Sequence, residues 1–336
     1  MGMVIDGTWT EDENIIQNGS FIREPSTFSD PVALKPAAPT STPPRYWLIA
    51  SKSCPWSHGA TIVRALHGLE AHVGLQIAHG PRIEGYAING GTHWDVPGTT
   101  ACIEHLHQLY TLAEPDFTGR STLPVLWDAK IGKILSNDSR SILRALNDLG
   151  RVCGDSALDL APCELKQDIE ATNDWLFSNL NNAVYRAGFA QNQTAYDDAV
   201  GTVFGMFDVL EGHLSQHRYL LGDMITLADW RLFPTLVRFD PVYFILHRCC
   251  RKRLVDYPTL WSYARALYAM PGIAGTVDFG EIVRGSYLND SCNNPHGIVP
   301  VIPDADWRLP HDREHVGANG TFGQRVRIPI HDRSLS

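Results

Sequence analysis

Cys54 stands directly before Pro55 in "SKSCPWSHGATIVRALHGLE" (51–70), where a run with the apolar spacing of a helix begins. Proline suits the first helical position, because its missing N–H has no intrahelical partner there. The spacing therefore puts Cys54 at or beside the N-cap. Unsatisfied backbone N–H groups and the positive end of the helix stabilise a thiolate at that point, and the thiolate is the nucleophilic form of cysteine. The fourth residue of "CPWS" is Ser57, so a C-x-x-C disulfide within the motif is excluded. The chemistry is monothiol, with an external thiol as the second reductant. Two further features accompany the thiol. Pro124 opens a strand in "TLPVLW", and a cis bond before it would leave the backbone N–H and C=O of Leu123 free to pair with a peptide ligand. Asp138 and Ser139, in "SNDSR", precede a helix whose N–H groups can hold a carboxylate. Each feature alone has a plain structural reading: an inert buried cysteine, an edge-strand proline, an ordinary N-cap. Together they describe a thiol at one helix start, a proline beside it and a carboxylate seat at the next helix.

The elements that must position these residues follow from hydrophobic periodicity. "RYWLIAS" (45–51) and "HVGLQIA" (72–78) read as strands flanking the helix from Pro55, a β-α-β unit. The following stretch, with Gly90, Gly91, Pro97 and Gly98, reads as a loop of roughly thirty residues, a length that inside a compact domain is usually functional. "STLPVLWD" (121–128) and "GKILSND" (132–138) read as two strands joined by a short turn, followed by a helix over 139–150 that Gly150 ends. Beyond Cys163 the signals are helical: 163–182, 194–217, 226–238, 258–269 and 271–284. Residues 1–44 are rich in Pro, Ser and Thr and read as an extension wrapped on the body, while the tail from Pro295 reads as loop.

Composition narrows the function. The chain has 336 residues, enough for two domains, and its formal charge of -9 argues against a nucleic-acid or anionic-membrane partner. The seven cysteines are odd in number and scattered, which points to a reduced, cytoplasmic protein and not to a disulfide framework. No stretch reads as a signal peptide or a membrane span. Thr226 and Asp229 in "TLADW" form a structural capping box. His105 and His107, two apart, would not share a helix face, and "HRCC" (247–250) lacks a second Cys/His pair, so no metal is expected. Trp175, Phe177, Trp230, Phe233, Phe239 and Tyr243 read as core, and no G-x-G-x-x-G is present.

"CPWSHGATIVRALHGLE", "YTLAEPDFTGRSTLPVLWD", "NNAVYRAGFAQNQTAYDDAV", "YLLGDMITLADWRLFPTLVRFDPVY" and "YPTLWSYARALYAMPGIAGTVDF" closely resemble the glutathionyl-hydroquinone reductases, the Xi class of glutathione transferases. The resemblance runs from about Arg45 to Pro300 and touches the opening "IDGTW". It implies a thioredoxin-like glutathione-binding domain over 45–150 and an all-helical substrate domain over 163–290, with 1–44 and 291–336 as extension and tail, in a homodimer. It implies glutathione as co-substrate and an aromatic small molecule as substrate. The implied reaction is attack by Cys54 on the sulfur of a glutathionyl-hydroquinone, followed by release of a Cys54–glutathione mixed disulfide by a second glutathione. Residue by residue, Trp94 matches the tryptophan that packs on glutathione, and Arg120 the arginine that binds its terminal carboxylate. Leu123 and Pro124 match the cis-proline edge, and Asp138 and Ser139 match an acid–serine pair, usually Glu-Ser, that takes the ammonium end. Tyr185 matches a tyrosine lining the aromatic site. The family's other active-site tyrosine falls on Ser286, with Tyr287 one position later in "EIVRGSYLNDSCNNP". Two enzymatic expectations follow. Either Tyr287 takes over the proton-donor role, or the pocket serves a specialised conjugase or isomerase. A non-enzymatic binding protein on the same fold would lack the thiol that Cys54 retains.

Overall fold

The computed structural model describes residues 2–11, 15–36, 43–154 and 158–316. The Pro/Thr-rich stretch 37–42 and the end of the tail, 317–336, lie outside the described residues. The chain divides into two compact units, Met1–Leu158 with Pro271–Pro300 and Asp159–Met270 with Val301–Ser336.

The first unit opens with two small hairpins, β1 (Met3–Ile5) with β2 (Thr8–Thr10) and β3 (Ile16–Gln17) with β4 (Ser20–Phe21). The extension is wrapped on the body as expected: Val4 is fully buried and exchanges two backbone hydrogen bonds of 2.9 Å with Gly119. The central sheet holds β5 (Tyr46–Ala50), β6 (Val73–Ile77), β9 (Val125–Asp128) and β10 (Lys133–Ser136) in the order β10-β9-β5-β6. β5 and β6 run parallel, Leu48 opposite Leu75, across the crossover helix α1 (Pro55–Leu66), whereas β9 is antiparallel to β5. Arg45 clamps the end of β9 through the almost fully buried Asp128, with contacts of 2.6–3.1 Å.

The expected long loop is partly structured. It contains a short ribbon, β7 (Trp94–Asp95) with β8 (Cys102–Ile103), and a helix α2 (Leu106–Ala113). Leu106, Leu109, Tyr110 and Ala113 do keep helical spacing, but for only two turns. Gln108 closes the helix start by accepting from the N–H groups of Glu104 and His105. Because His105 sits at the cap, outside the helix, its ring reaches that of His107, with centroids 5.8 Å apart. After β10 comes α3 (Ser139–Cys153), which runs past Gly150. Gly150 is a packing residue, not a stop: a Cβ there would lie 2.2 Å from the ring of fully buried His67 on the segment after α1.

The second unit is helical. The expected helix over 163–182 becomes a 3-10 turn (Cys163–Leu165), α4 (Lys166–Leu176), a π turn (Phe177–Asn181) and α5 (Ala183–Gly188). α6 (Gln193–Leu214), α7 (Leu227–Arg238), a π turn (Phe239–Tyr243) and α8 (Pro258–Tyr268) complete it. Aromatic packing fills its centre, with the rings of Phe207 and Phe239 4.5 Å apart. The segment predicted as one helix over 271–284 starts with a 3-10 turn (Ala274–Thr276) and restarts as α9 (Phe279–Tyr287), capped by Asp278 accepting from Glu281 N–H. This segment belongs to the first unit.

The capping box of α7 forms as read, and reaches further. Asp229 is fully buried and accepts from Thr226 N–H (2.8 Å), Leu220 N–H (3.0 Å) and the Tyr263 hydroxyl (2.7 Å). Asp229→Ala would remove the acceptor of four buried donors, these three and the Thr226 hydroxyl at 3.2 Å. We expect it to lower unfolding stability by about 3 kcal/mol or more, seen as a lower thermal midpoint of the helical signal in circular dichroism. An unchanged midpoint would show that the second unit does not depend on this carboxylate.

Candidate active site

Cys54 is the N-cap of α1, with extended backbone angles (φ -82°, ψ 117°), and Pro55 follows at the first helical position. The loop holds it through Cys54 N–H donating to Ser51 O at 3.1 Å, while Cys54 O accepts the first helical bond from His58 N–H at 3.1 Å. The sulfur lies 3.7 Å from the carbonyl of Leu123, and the Leu123–Pro124 peptide bond is cis. Thiol, helix start and cis-proline edge therefore meet. Cys54, Trp94 and Leu123 share one buried cluster with Trp47 and Trp56 at its margin. Trp94 is only 7% exposed and tilts against Trp47 at 6.1 Å, so most of its indole is spent in the core.

Two of the other cysteines are disfavoured as nucleophiles by burial. Burial pushes the Cys249 thiol up to about 12 and raises that of Cys153 as well. Cys102, Cys163, Cys250 and Cys292 are exposed, and none of these is an N-cap.

Arg120 lies in the loop before Leu123. Its guanidinium sits 3.7 Å from Glu24 and 3.4 Å from the carbonyl of Gly2, two contacts from the N-terminal extension. Asp138 is the N-cap of α3, accepting from Ser141 N–H at 2.8 Å, and Ser139 is the first residue of that helix. The N-cap is thus formed, and Asp138 keeps a second carboxylate oxygen beside the helix start. Sequence reasoning missed Glu24. It sits in a stretch without periodicity, and its acidic type beside a distant arginine was the only signal.

α9 is docked on the loop that carries Cys54. Lys52 pairs with the cap residue Asp278 at 2.9 Å, His58 meets Thr276 at 3.0 Å, and Arg82 donates to Ser53 at 3.1 Å while its own N–H is held by Asn289 at 2.7 Å. Gly285 allows the approach, since a Cβ there would stand 2.5 Å from the Cβ of Ser53. Tyr287 is buried at the end of this helix. Ser286 turns its hydroxyl back onto the helix, donating to Ile282 O at 2.7 Å. In the second unit, Tyr185 lies on α5 with its hydroxyl 3.4 Å from that of Tyr243 and its ring 5.2 Å from His247. Tyr243, expected as core, is buried and also touches this phenol; the i, i+4 spacing of Tyr243 and His247 was the available signal. Among the described residues no group of three or more His, Cys, Asp or Glu is arranged to hold a metal, and no helix is long and apolar enough to cross a membrane.

A thioredoxin-like unit with a thiol at the first helix start, followed by a helical unit, is the glutathione transferase architecture. The glutathione S-transferase N-terminal domain family matches residues 53–149, and the C-terminal domain family matches residues 193–266. The chain is 40% identical to the glutathionyl-hydroquinone reductase YqjG of Escherichia coli over 94% of its length and 99% of that protein's. The glutathione-bound structure of YqjG superposes with a TM-score of 0.76 at 41% identity, covering 80% of this chain and 88% of that one. The Xi class transferase of Natrialba magadii superposes at 0.83 with 35% identity, covering 94% and 97%. The chain belongs to the glutathionyl-hydroquinone reductase family, the Xi class of glutathione transferases.

If Cys54 is the active thiol, a limiting amount of iodoacetamide at mildly acidic pH labels Cys54 first, as read by peptide mapping. Preferential labelling of Cys249 or Cys250 would refute the assignment.

Proposed function

We propose that Cys54 is the nucleophile of a glutathione-dependent reductase of glutathionyl-hydroquinones, supported above all by its sulfur lying at the start of α1 and 3.7 Å from the backbone of the cis-proline edge. The enzyme class and the use of glutathione follow from family membership. The Cys54 thiolate attacks the sulfur of the glutathionyl group. An S–S bond forms as the ring C–S bond breaks, and the ring carbon takes a proton to leave as the hydroquinone. A second glutathione thiolate attacks the mixed disulfide, giving oxidised glutathione and restoring Cys54. The two electrons that reduce the ring carbon come from the two glutathione sulfurs, which leave joined as the disulfide while Cys54 is returned as a thiolate, so the balance closes without a metal or a nucleotide.

Glutathione is assigned to the first unit. Its cysteinyl backbone pairs with Leu123 ahead of Pro124, its terminal carboxylate goes to Arg120, and its γ-glutamyl end goes to Asp138 and Ser139 at the α3 start, with the remaining edge of Trp94 as a packing surface. Glu24 lies on Arg120, and Asp138 is one methylene shorter than the usual glutamate. Tyr185 contacts the aromatic substrate. Tyr287 is the proton donor to the leaving ring, and the commitment of the Ser286 hydroxyl to Ile282 O favours it over Ser286. The domain limits 45–150 and 163–290, the latter including a stretch from Pro271 that groups with the first unit, a homodimer and a cytoplasmic location complete the reading. The seven cysteines, all free, support the last of these.

Cys54→Ser should abolish turnover of a glutathionyl-hydroquinone. Tyr287→Phe should slow it by about 100-fold to 10,000-fold, the order for losing a positioned general acid, with substrate affinity changed less. Ser286→Ala should leave the rate near wild type. A fully active Tyr287→Phe, combined with higher activity of Ser286→Tyr on simple hydroquinone adducts, would instead mark a pocket adapted to another aromatic and favour a conjugase or isomerase.

A further inference from the structure

Two pieces of backbone assigned above to glutathione, the Leu123–Pro124 edge and the α3 start at Asp138–Ser139, are preceded by Thr122 and Asn137. These two residues meet inside the first unit on the phenol of Tyr110. Tyr110 is fully buried and Asn137 is 4% exposed. The Tyr110 hydroxyl donates to Thr122 O at 2.8 Å and accepts from Thr122 N–H at 3.2 Å and from Asn137 Nδ2 at 3.0 Å. Its one hydrogen and both lone pairs are thereby used. Burial pushes the phenol up to about 12, against an opposing pull from Thr122 and Asn137, so it stays protonated and its donation to Thr122 O persists.

The carboxamide of Asn137 has a fixed orientation. Its Oδ1 accepts from Phe28 N–H at 2.9 Å, a bond that the flipped amide cannot make. Nδ2 also faces the hydroxyls of Thr122 at 3.3 Å and Thr27 at 3.2 Å. Next to it, Ser136 Oγ accepts from Asp138 N–H at 3.0 Å and donates to Phe28 O at 2.9 Å. One buried junction thus joins the residue before each half of the seat, and the strap Thr27–Phe28 closes it from the N-terminal side.

We propose that Asn137 is a positioning residue for glutathione: by sharing Tyr110 with Thr122 it fixes the separation between the Leu123–Pro124 edge and the Asp138–Ser139 helix start. This rests on the glutathione assignment made above. A tripeptide held at both places loses contacts when their spacing drifts, because each hydrogen bond tolerates only a few tenths of an ångström. Asn137 touches no substrate in this role.

The test titrates glutathione calorimetrically into the full-length enzyme and its variants, alongside thermal unfolding and the rate of Cys54 alkylation by iodoacetamide without glutathione. Asn137→Ala and Tyr110→Phe should each weaken glutathione by about tenfold. The double variant should be about as weak as the weaker single one, because both break the same junction. Cys54 alkylation should change less than glutathione affinity, since the sulfur's place is set by the N-cap of α1 and the bond from Cys54 N–H to Ser51 O, which the junction does not touch. A folded Asn137→Ala with a lower melting point and wild-type glutathione affinity would overturn the proposal and leave the network purely structural. If Asn137→Ala does not fold, Tyr110→Phe decides, because it removes only the shared hydroxyl; wild-type affinity there overturns the proposal equally. Asp138→Ala separates the two levels. If it weakens glutathione and the junction variants do not, only the positioning role fails. If it too binds normally, the seat itself is misassigned and the positioning role falls with it.

Discussion

The first unit depends on one juxtaposition: a sulfur at the open N-terminus of α1 against the backbone of Leu123, 3.7 Å away. Cys54 sits at the N-cap of the helix, and Pro55 removes one N–H that would otherwise need a partner there. Neither side of the contact holds itself in place. The sulfur's position is set by β5 and the loop Ser51–Ser53, and that of Leu123 by β9, which pairs antiparallel with β5 in the register Ile49 opposite Val125. The Arg45–Asp128 clamp ties the other ends of the same two strands together. A shift of one residue in this register would carry Leu123 away from the thiol and reverse the inner face of the strand.

The same loop anchors the element that carries Tyr287. Asp278 both caps α9 and pairs with Lys52, two residues before Cys54, so the charge that starts the helix also docks it. Gly285 brings the helix close to Ser53. Ser286 is satisfied by its own helix, a common fate for a serine inside a helix.

Strong, local signals made the thiol, the proline edge and the α3 cap legible in the sequence, because each is written in adjacent residues. Strands and long helices were legible for the same reason. Glycine after an amphipathic run usually ends a helix, yet Gly150 faces His67 across the packing of α1 on α3. The two turns of α2 carry too little periodicity to stand out from a stretch rich in Gly and Pro. Helical spacing over 271–284 hides Asp278, whose side chain restarts the chain as a new helix. Asn137 and Glu24 act on residues about 15 to 110 positions away in the chain, and no local pattern encodes such contacts.

The central claim is that Cys54 takes the glutathionyl group directly from the aromatic ring. Mixing the enzyme with one equivalent of a glutathionyl-hydroquinone, with no free glutathione, and quenching in acid for intact-mass and peptide analysis tests it most directly. The account predicts a glutathione adduct on Cys54, formed in step with one equivalent of free hydroquinone and removed by added glutathione. Release of hydroquinone with no adduct on Cys54, or an adduct on another cysteine that keeps pace with product, would contradict it.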